Sequence, residues 1–172
     1  MKLFLIADNH FGDYDGPDDV IHIFHRPFKD SLQMNAAMIE RWNKTVTMDD
    51  VIFSLGDFAW CNNDFQKYSP MLNGHIIFLQ GNHDFEHEDD GNHFPAQIWL
   101  IHKGEQFLLI HDPDQAPEWW KGWTIHGHHH WMPQYPFISE KYKTVNVACE
   151  QIDYTPIELD QIITKIKSGN HL

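Results

Sequence analysis

The chain has 172 residues, 12 Lys and Arg against 25 Asp and Glu for a formal net charge of −13, with 42% hydrophobic and 14% aromatic residues. That length supports a single domain over residues 1–172 that needs no disulfide or metal staple to bury a core, and the aromatic content excludes a disordered acidic tail. The acidity disfavours a grip on extended nucleic acid through a broad basic face, which rests on Lys and Arg neutralising phosphates.

The apolar run from Lys2 to Ala7 is ended by Asp8 and reads as a buried strand, too short for a secretory leader. From Phe11 to Asp30 no periodicity is visible, and loops of that length inside a compact domain are usually functional or disordered. A helix is predicted from Ser31 to about Trp42, with Met34, Met38 and Trp42 at i+4 spacing behind Ser31 or Asp30 as N-cap. Val51–Leu55 reads as a strand, Asp64–Leu72 as a short helix interrupted by Pro70, and His75–Gln80 as a strand before a polar excursion over Asp84–Asn92. Strands follow at Gln97–Ile101, Gln106–Ile110, Gly122–Ile125 and Lys143–Cys149. The last helix is predicted to open at Thr155-Pro156-Ile157-Glu158, which has capping-box spacing, and to present Leu159, Ile162, Ile163 and Ile166 on one face. Strands mixed with helices imply an α/β layered fold. Cys61 and Cys149 have no disulfide-framework spacing, so a reducing, cytoplasmic setting is expected. No apolar stretch reaches the roughly 20 residues of a membrane span, and no membrane partner is expected.

The chemistry lies at the strand ends, and imidazole is abundant at 14 histidines. Asp8 and His10 follow the first strand, Gly56-Asp57 the second, Gly81-Asn82-His83-Asp84 the third, His111-Asp112 the fifth and His126-Gly127-His128-His129-His130 the sixth. Ligand sites collect at the carboxyl ends of strands in open α/β sheets. In extended backbone, Asp8 and His10 point to one side, as do His128 and His130. Imidazole with carboxylate and amide oxygen, and no thiolate, suits Mn, Fe, Zn or Ni. These residues are too many for one ion that keeps an open position; two ions sharing Asp57 use them all.

The ordered set Asp8-x-His10, Gly56-Asp57, Gly81-Asn82-His83-Asp84, His111 and Gly127-His128-x-His130 resembles the calcineurin-like metallophosphoesterase superfamily, over residues 8 to 130. Asp8-Asn9-His10-Phe11-Gly12, Arg26-Pro27-Phe28 and Leu55-Gly56-Asp57-Phe58 further resemble a small prokaryotic and phage subfamily. The resemblance implies two mixed β-sheets packed face to face with flanking helices. It implies two divalent ions, with Mn favoured for activity: one on Asp8, His10 and His130, the other on Asn82, His111 and His128, bridged by Asp57. His83 is implied as the catalytic residue, giving a proton to the leaving oxygen. Many members carry a second Asp three residues after the bridging one, which supports that histidine; here the position is Trp60. Orientation of His83 must then come from Asp84, backbone or another residue.

The implied activity is that of a metal-dependent phosphoric ester hydrolase, in which a metal-bridging hydroxide attacks a small or nucleotide-like phosphomonoester or phosphodiester. The alternatives are a nuclease on nucleic acid ends and a non-catalytic metal-binding scaffold. Arg26 either clamps a substrate phosphate or makes a surface ion pair. Trp119, Trp120, Trp123 and Trp131 could stack on a base but read better as core or pocket wall. The acidic run Glu86–Asp90 reads as a solvated loop, and histidines outside the motifs as ordinary surface or core residues.

Overall fold

The computed structural model describes residues 1–84 and 94–169, so the acidic run Glu86–Asp90, His87, His93 and His171 lie outside the described residues. In chain order the elements are β1 (Leu3–Ile6), α1 (Val20–Ile23), α2 (Ser31–Thr45), β2 (Val51–Leu55), α3 (Asn62–Tyr68), β3 (His75–Leu79), β4 (Gln97–His102), β5 (Glu105–Ile110), β6 (Trp123–His126), β7 (Ile138–Ser139), β8 (Thr144–Asn146), β9 (Ile157–Glu158) and α4 (Leu159–Ser168). They form two mixed sheets with flanking helices, one ordered β3-β2-β1-β9 and the other β4-β5-β6-β8-β7.

β1 explains the layering. Phe4 and Ile6 pack on one side with Met34, Met38 and Trp42 of α2, whereas Leu5 and Ala7 pack on the other with Phe107, Leu109, Ile125 and Val145 of the second sheet. A strand covered on both faces is apolar at nearly every position, which is why β1 and, apart from the buried Ser54, β2 read as continuous runs without alternation. Asp30 caps α2 by accepting the amide of Gln33 at 2.8 Å. β4 and β5 are joined by Lys103-Gly104 with φ of 50° and 83°, positive at both central residues as a tight hairpin turn demands.

Three expectations change. The predicted final helix does not open at Thr155: Ile157 and Glu158 pair antiparallel with Leu5 and Phe4, and α4 begins at Leu159. Pairing occupies an edge of β1 while Leu159, Ile162 and Ile163 still enter the core between the sheets, so burial tolerates the later start. The run after Lys143 is a strand only over Thr144–Asn146; the chain then crosses to the first sheet, where Val147 O accepts the Ala7 amide at 2.9 Å and Cys149 N donates to Ala7 O at 3.1 Å. That crossing carries Glu150 underneath the strand ends. Within the long segment from Phe11 to Asp30, α1 forms one turn capped by Asp19, whose side chain accepts the His22 amide. Among the described residues, no helix is long and apolar enough to cross a membrane.

Candidate metal centre

β1, β2 and β3 run parallel, as do β5 and β6, so each group delivers its carboxyl ends to one side. Glycine lets the loops behind them close up. A Cβ on Gly81 would collide with the Asp57 carboxylate, and one on Gly127 with Asp8 and Ala7. Gly56, at φ 89°, abuts Gly81 and His111. Backbone hydrogen bonds stitch the loops together: Asp8 N donates to Gly56 O at 3.1 Å, His10 N to Asp57 O at 3.0 Å, and Gly127 N to His111 O at 3.0 Å.

The ligand loops are not extended. Asp8, His10, Asp57, His128 and His130 all have positive φ, at 58°, 51°, 51°, 68° and 45°. The expectation of alternating extended side chains is therefore corrected. Left-handed backbone turns both members of each pair toward the cleft, and Asp and His are among the side chains that tolerate it best. Such conformations cost energy and persist where surrounding structure holds them, as is common at functional sites.

All seven expected ligands come together. Asp57 Oδ2 lies between His10 Nε2 at 3.8 Å and His111 Nε2 at 3.3 Å. Asp8 Oδ1 lies 3.9 Å from His130 Nε2. Asn82 Oδ1 is met by His111 Nε2 at 2.9 Å and His128 Nδ1 at 2.8 Å. Asp8, His10 and His130 form one metal-competent group, and Asp8, Asp57 and His111 a second. Asp8 and Asp57 are buried, and His10 Nε2 is a buried nitrogen without a hydrogen-bond partner. That orphan, aimed at Asp57 in an oxygen and imidazole donor set, is what a divalent cation would satisfy.

The electrostatics agree. Burial pushes the Asp8 carboxyl up, against the opposing pull of His130 and His111. It pushes His10 well down, so this imidazole stays neutral and able to donate a lone pair. Despite burial, His111 rises to about 9, because it bonds Asp57 and feels the charges of Asp8 and Asp57. Despite the same burial, Asp57 is held below the ordinary carboxylate range, chiefly by His111. Protons and imidazolium here stand where positive charge is called for.

A supporting layer orients the ligands. His111 Nδ1 pairs with Leu55 O at 2.8 Å, leaving Nε2 for the cleft, and His130 Nδ1 meets Glu150 Oε1 at 3.0 Å. Metal-ligating histidines typically donate their second ring nitrogen in this manner. Arg26 belongs to this layer, and both readings of it from sequence are corrected. Its guanidinium is fully buried: Nε donates to Glu150 Oε1 at 2.8 Å, one terminal nitrogen to Asp8 O at 2.7 Å and the other to Asn9 O at 3.1 Å. It faces away from any substrate, because the backbone carbonyls behind the Asp8 turn and the buried Glu150 carboxylate need its donors. Glu150 lies outside every sequence motif, with no local pattern to mark it.

His83 stands exposed at the mouth, its amide donating to Asp57 Oδ1 at 3.0 Å. Its ring lies 5.4 Å from that of His10 and 6.3 Å from that of Trp60. Asp84 instead accepts the amides of Gly81 at 2.7 Å and Asp57 at 3.0 Å, tying two motifs together. His126 is a buried core residue, whereas His129 stacks on Tyr135 at 3.5 Å and joins Asp112 and His128 in a third group. The expectation of core or pocket wall is corrected for two tryptophans: Trp119 is exposed beside Trp99 and Trp120, and Trp131, also exposed, donates to Phe24 O at 3.0 Å beside His25.

No protein-family model matches the chain. It is 37% identical to the uncharacterized protein MJ1445 of Methanocaldococcus jannaschii over 98% of this chain and 93% of that protein. Its fold matches the crystal structure of the protein of unknown function AQ665 from Aquifex aeolicus with a TM-score of 0.72 at 25% identity, covering 96% of this chain and 98% of that one. A conserved uncharacterized protein of Streptococcus pneumoniae, described as a predicted phosphoesterase, matches with a TM-score of 0.49 at 16% identity, over 88% of this chain and 72% of that one. With its ordered motifs converging on one cleft between two mixed sheets, the chain belongs to the same family as its archaeal relative MJ1445.

Proposed function

We propose that the protein is a metal-dependent phosphoester hydrolase acting on a small, nucleotide-like monoester or diester with two divalent ions, Mn favoured. The observation that carries this reading is Asp57 Oδ2 sitting 3.8 Å from His10 Nε2 and 3.3 Å from His111 Nε2, with further ligands on each side. Asp8, His10 and His130 would hold one ion, Asn82, His111 and His128 the other, and Asp57 both. Divalent ions so held supply Lewis-acid charge to a phosphoryl group and lower the pKa of the water they bind from 15.7 to about 7.

The protein's own groups do the rest. Buried Asp8, Asp57, His10 and His130 keep bulk water from the ligand side, so charge is felt strongly there. The Asp57–His83 backbone bond places the His83 imidazole at the mouth, where it can give a proton to a leaving oxygen. Neither arginine serves as an anion clamp: Arg26 is turned inward, and Arg41 pairs with Asp153. Together with the −13 charge, this favours a small ester over extended nucleic acid.

The test is hydrolysis of p-nitrophenyl phosphate and bis-p-nitrophenyl phosphate by the Mn²⁺-loaded protein. Asp57→Asn is expected to abolish turnover, and His83→Ala to lower kcat about 10²- to 10⁴-fold. Wild-type turnover no higher than that of both variants refutes the reading.

A further inference from the structure

We propose that Trp60 and Tyr14 form a stacking platform beside the metal centre that selects phosphoesters whose alcohol half carries a planar ring, nucleoside phosphates being the matching class. The proposal rests on the phosphoesterase reading and names its substrate class.

The two residues sit on rigid supports with part of each side chain exposed. The loops after β1 and β2 are laced together by Phe11 N to Phe58 O at 2.9 Å and Trp60 N to Phe11 O at 2.9 Å, beside a parallel bridge between Phe11 and Ala59. That ladder ends at Trp60. Tyr14 follows the buried Asp13, whose carboxylate accepts the amides of Tyr14 at 3.0 Å and Val20 at 2.8 Å. Yet Trp60 is 39% and Tyr14 44% exposed. Two adjacent, partly exposed rings held by their backbone make a small apolar patch beside the cleft.

Their position makes this surface relevant to chemistry. Ring centroids link the ligand cluster to these rings through successive neighbours: His10 to His83 5.4 Å, His83 to Trp60 6.3 Å, Trp60 to Tyr14 5.5 Å. A phosphoryl group at the ligand cluster puts its leaving oxygen at His83, so the group bonded to that oxygen reaches the indole next. An indole and a phenol recognise a flat π-face by stacking, which tolerates any base and needs no cation. This suits a site to which neither arginine is available.

The test compares wild type with Trp60→Ala, Trp60→Phe and Tyr14→Ala, all Mn²⁺-loaded, by two readouts. One is the ratio of kcat/KM for adenosine 5′-monophosphate to that for glycerol 2-phosphate. The other, independent of turnover, is the ratio of calorimetric affinities for a non-hydrolysable phosphonate analogue of adenosine 5′-monophosphate and for inorganic phosphate. Both ratios are expected to exceed one in wild type and to fall about tenfold in Trp60→Ala. Tyr14→Ala should fall less, and Trp60→Phe should retain most of the preference. Ratios unchanged in Trp60→Ala, or a wild type that binds the analogue no better than phosphate, overturn the platform. Loss of affinity for both ligands in equal measure also overturns it, since that assigns Trp60 only to holding His83. Failure of wild type to turn over any ester refutes the hydrolase reading alone, and the affinity ratio still decides the platform.

Discussion

Replacing Arg26 by Met tests the supporting layer most directly. The guanidinium has a side-chain exposure of 0% and the Glu150 carboxylate 5%, and they meet at 2.8 Å. Despite burial, which raises it, Glu150 is held down to about 2 by the Arg26 charge and by His130. A carboxyl whose folded pKa lies below its ordinary 4.5 contributes stability present above that ordinary value and lost as pH falls toward about 2. That lowering corresponds to about 3 kcal/mol for Arg26 and His130 acting together against burial. Leaving a buried carboxylate without its partner costs about 3–5 kcal/mol, which sets the scale for losing Arg26 alone. Arg26→Met should therefore lose about 3 kcal/mol in urea unfolding at pH 7 in the presence of chelator, and the gap from wild type should narrow as pH falls below about 4.5. Adding Glu150→Gln removes the stranded charge, so the double variant should be more stable than the sum of the two single losses predicts. A loss below about 1 kcal/mol with a raised KM alone would show that the guanidinium faces substrate after all.

Glu150→Gln by itself replaces the carboxylate on His130 Nδ1 and should weaken Mn²⁺ affinity about 10- to 100-fold by calorimetry; unchanged affinity removes Glu150 from the support. Gly127→Ala puts a Cβ onto the Asp8 carboxylate and Ala7, and should lower bound metal per chain by elemental analysis, whereas full loading would show that the loop yields freely. His126 is buried and pushed down to about 4, chiefly by desolvation. A histidine with a lowered folded pKa favours the fold above about 6.5 and disfavours it as pH falls toward 4, so the metal-free protein should lose about 2 kcal/mol between pH 7 and pH 5 from this group. His126→Phe should flatten that slope; equal slopes in thermal unfolding would contradict the assignment.

What the chain determines by itself is local. Apolar runs, broken in β2 only by the buried Ser54, mark β1 and β2 because strands covered on both faces leave little room for polar alternation. The i+4 spacing of Met34, Met38 and Trp42 marks the helix laid against one of those faces. The Asp, Asn and His residues ending the strands name the metal chemistry, because ligand type is a property of the side chain alone. Only tertiary structure decides how they meet. His128 N donates to Asp8 Oδ2 at 3.0 Å across 120 positions, a contact that depends on strand order and not on spacing. The same holds for Glu150, brought under His130 by the crossing after β8, and for Arg26, whose direction depends on which carbonyls the Asp8 turn leaves unpaired. Positive φ at the ligand loops is likewise invisible beforehand, since residue type permits that backbone but only the surrounding hydrogen bonds hold it there. Local periodicity encodes elements, while long-range packing encodes the partner of every buried charge, and at this site those partners settle which groups face the cleft.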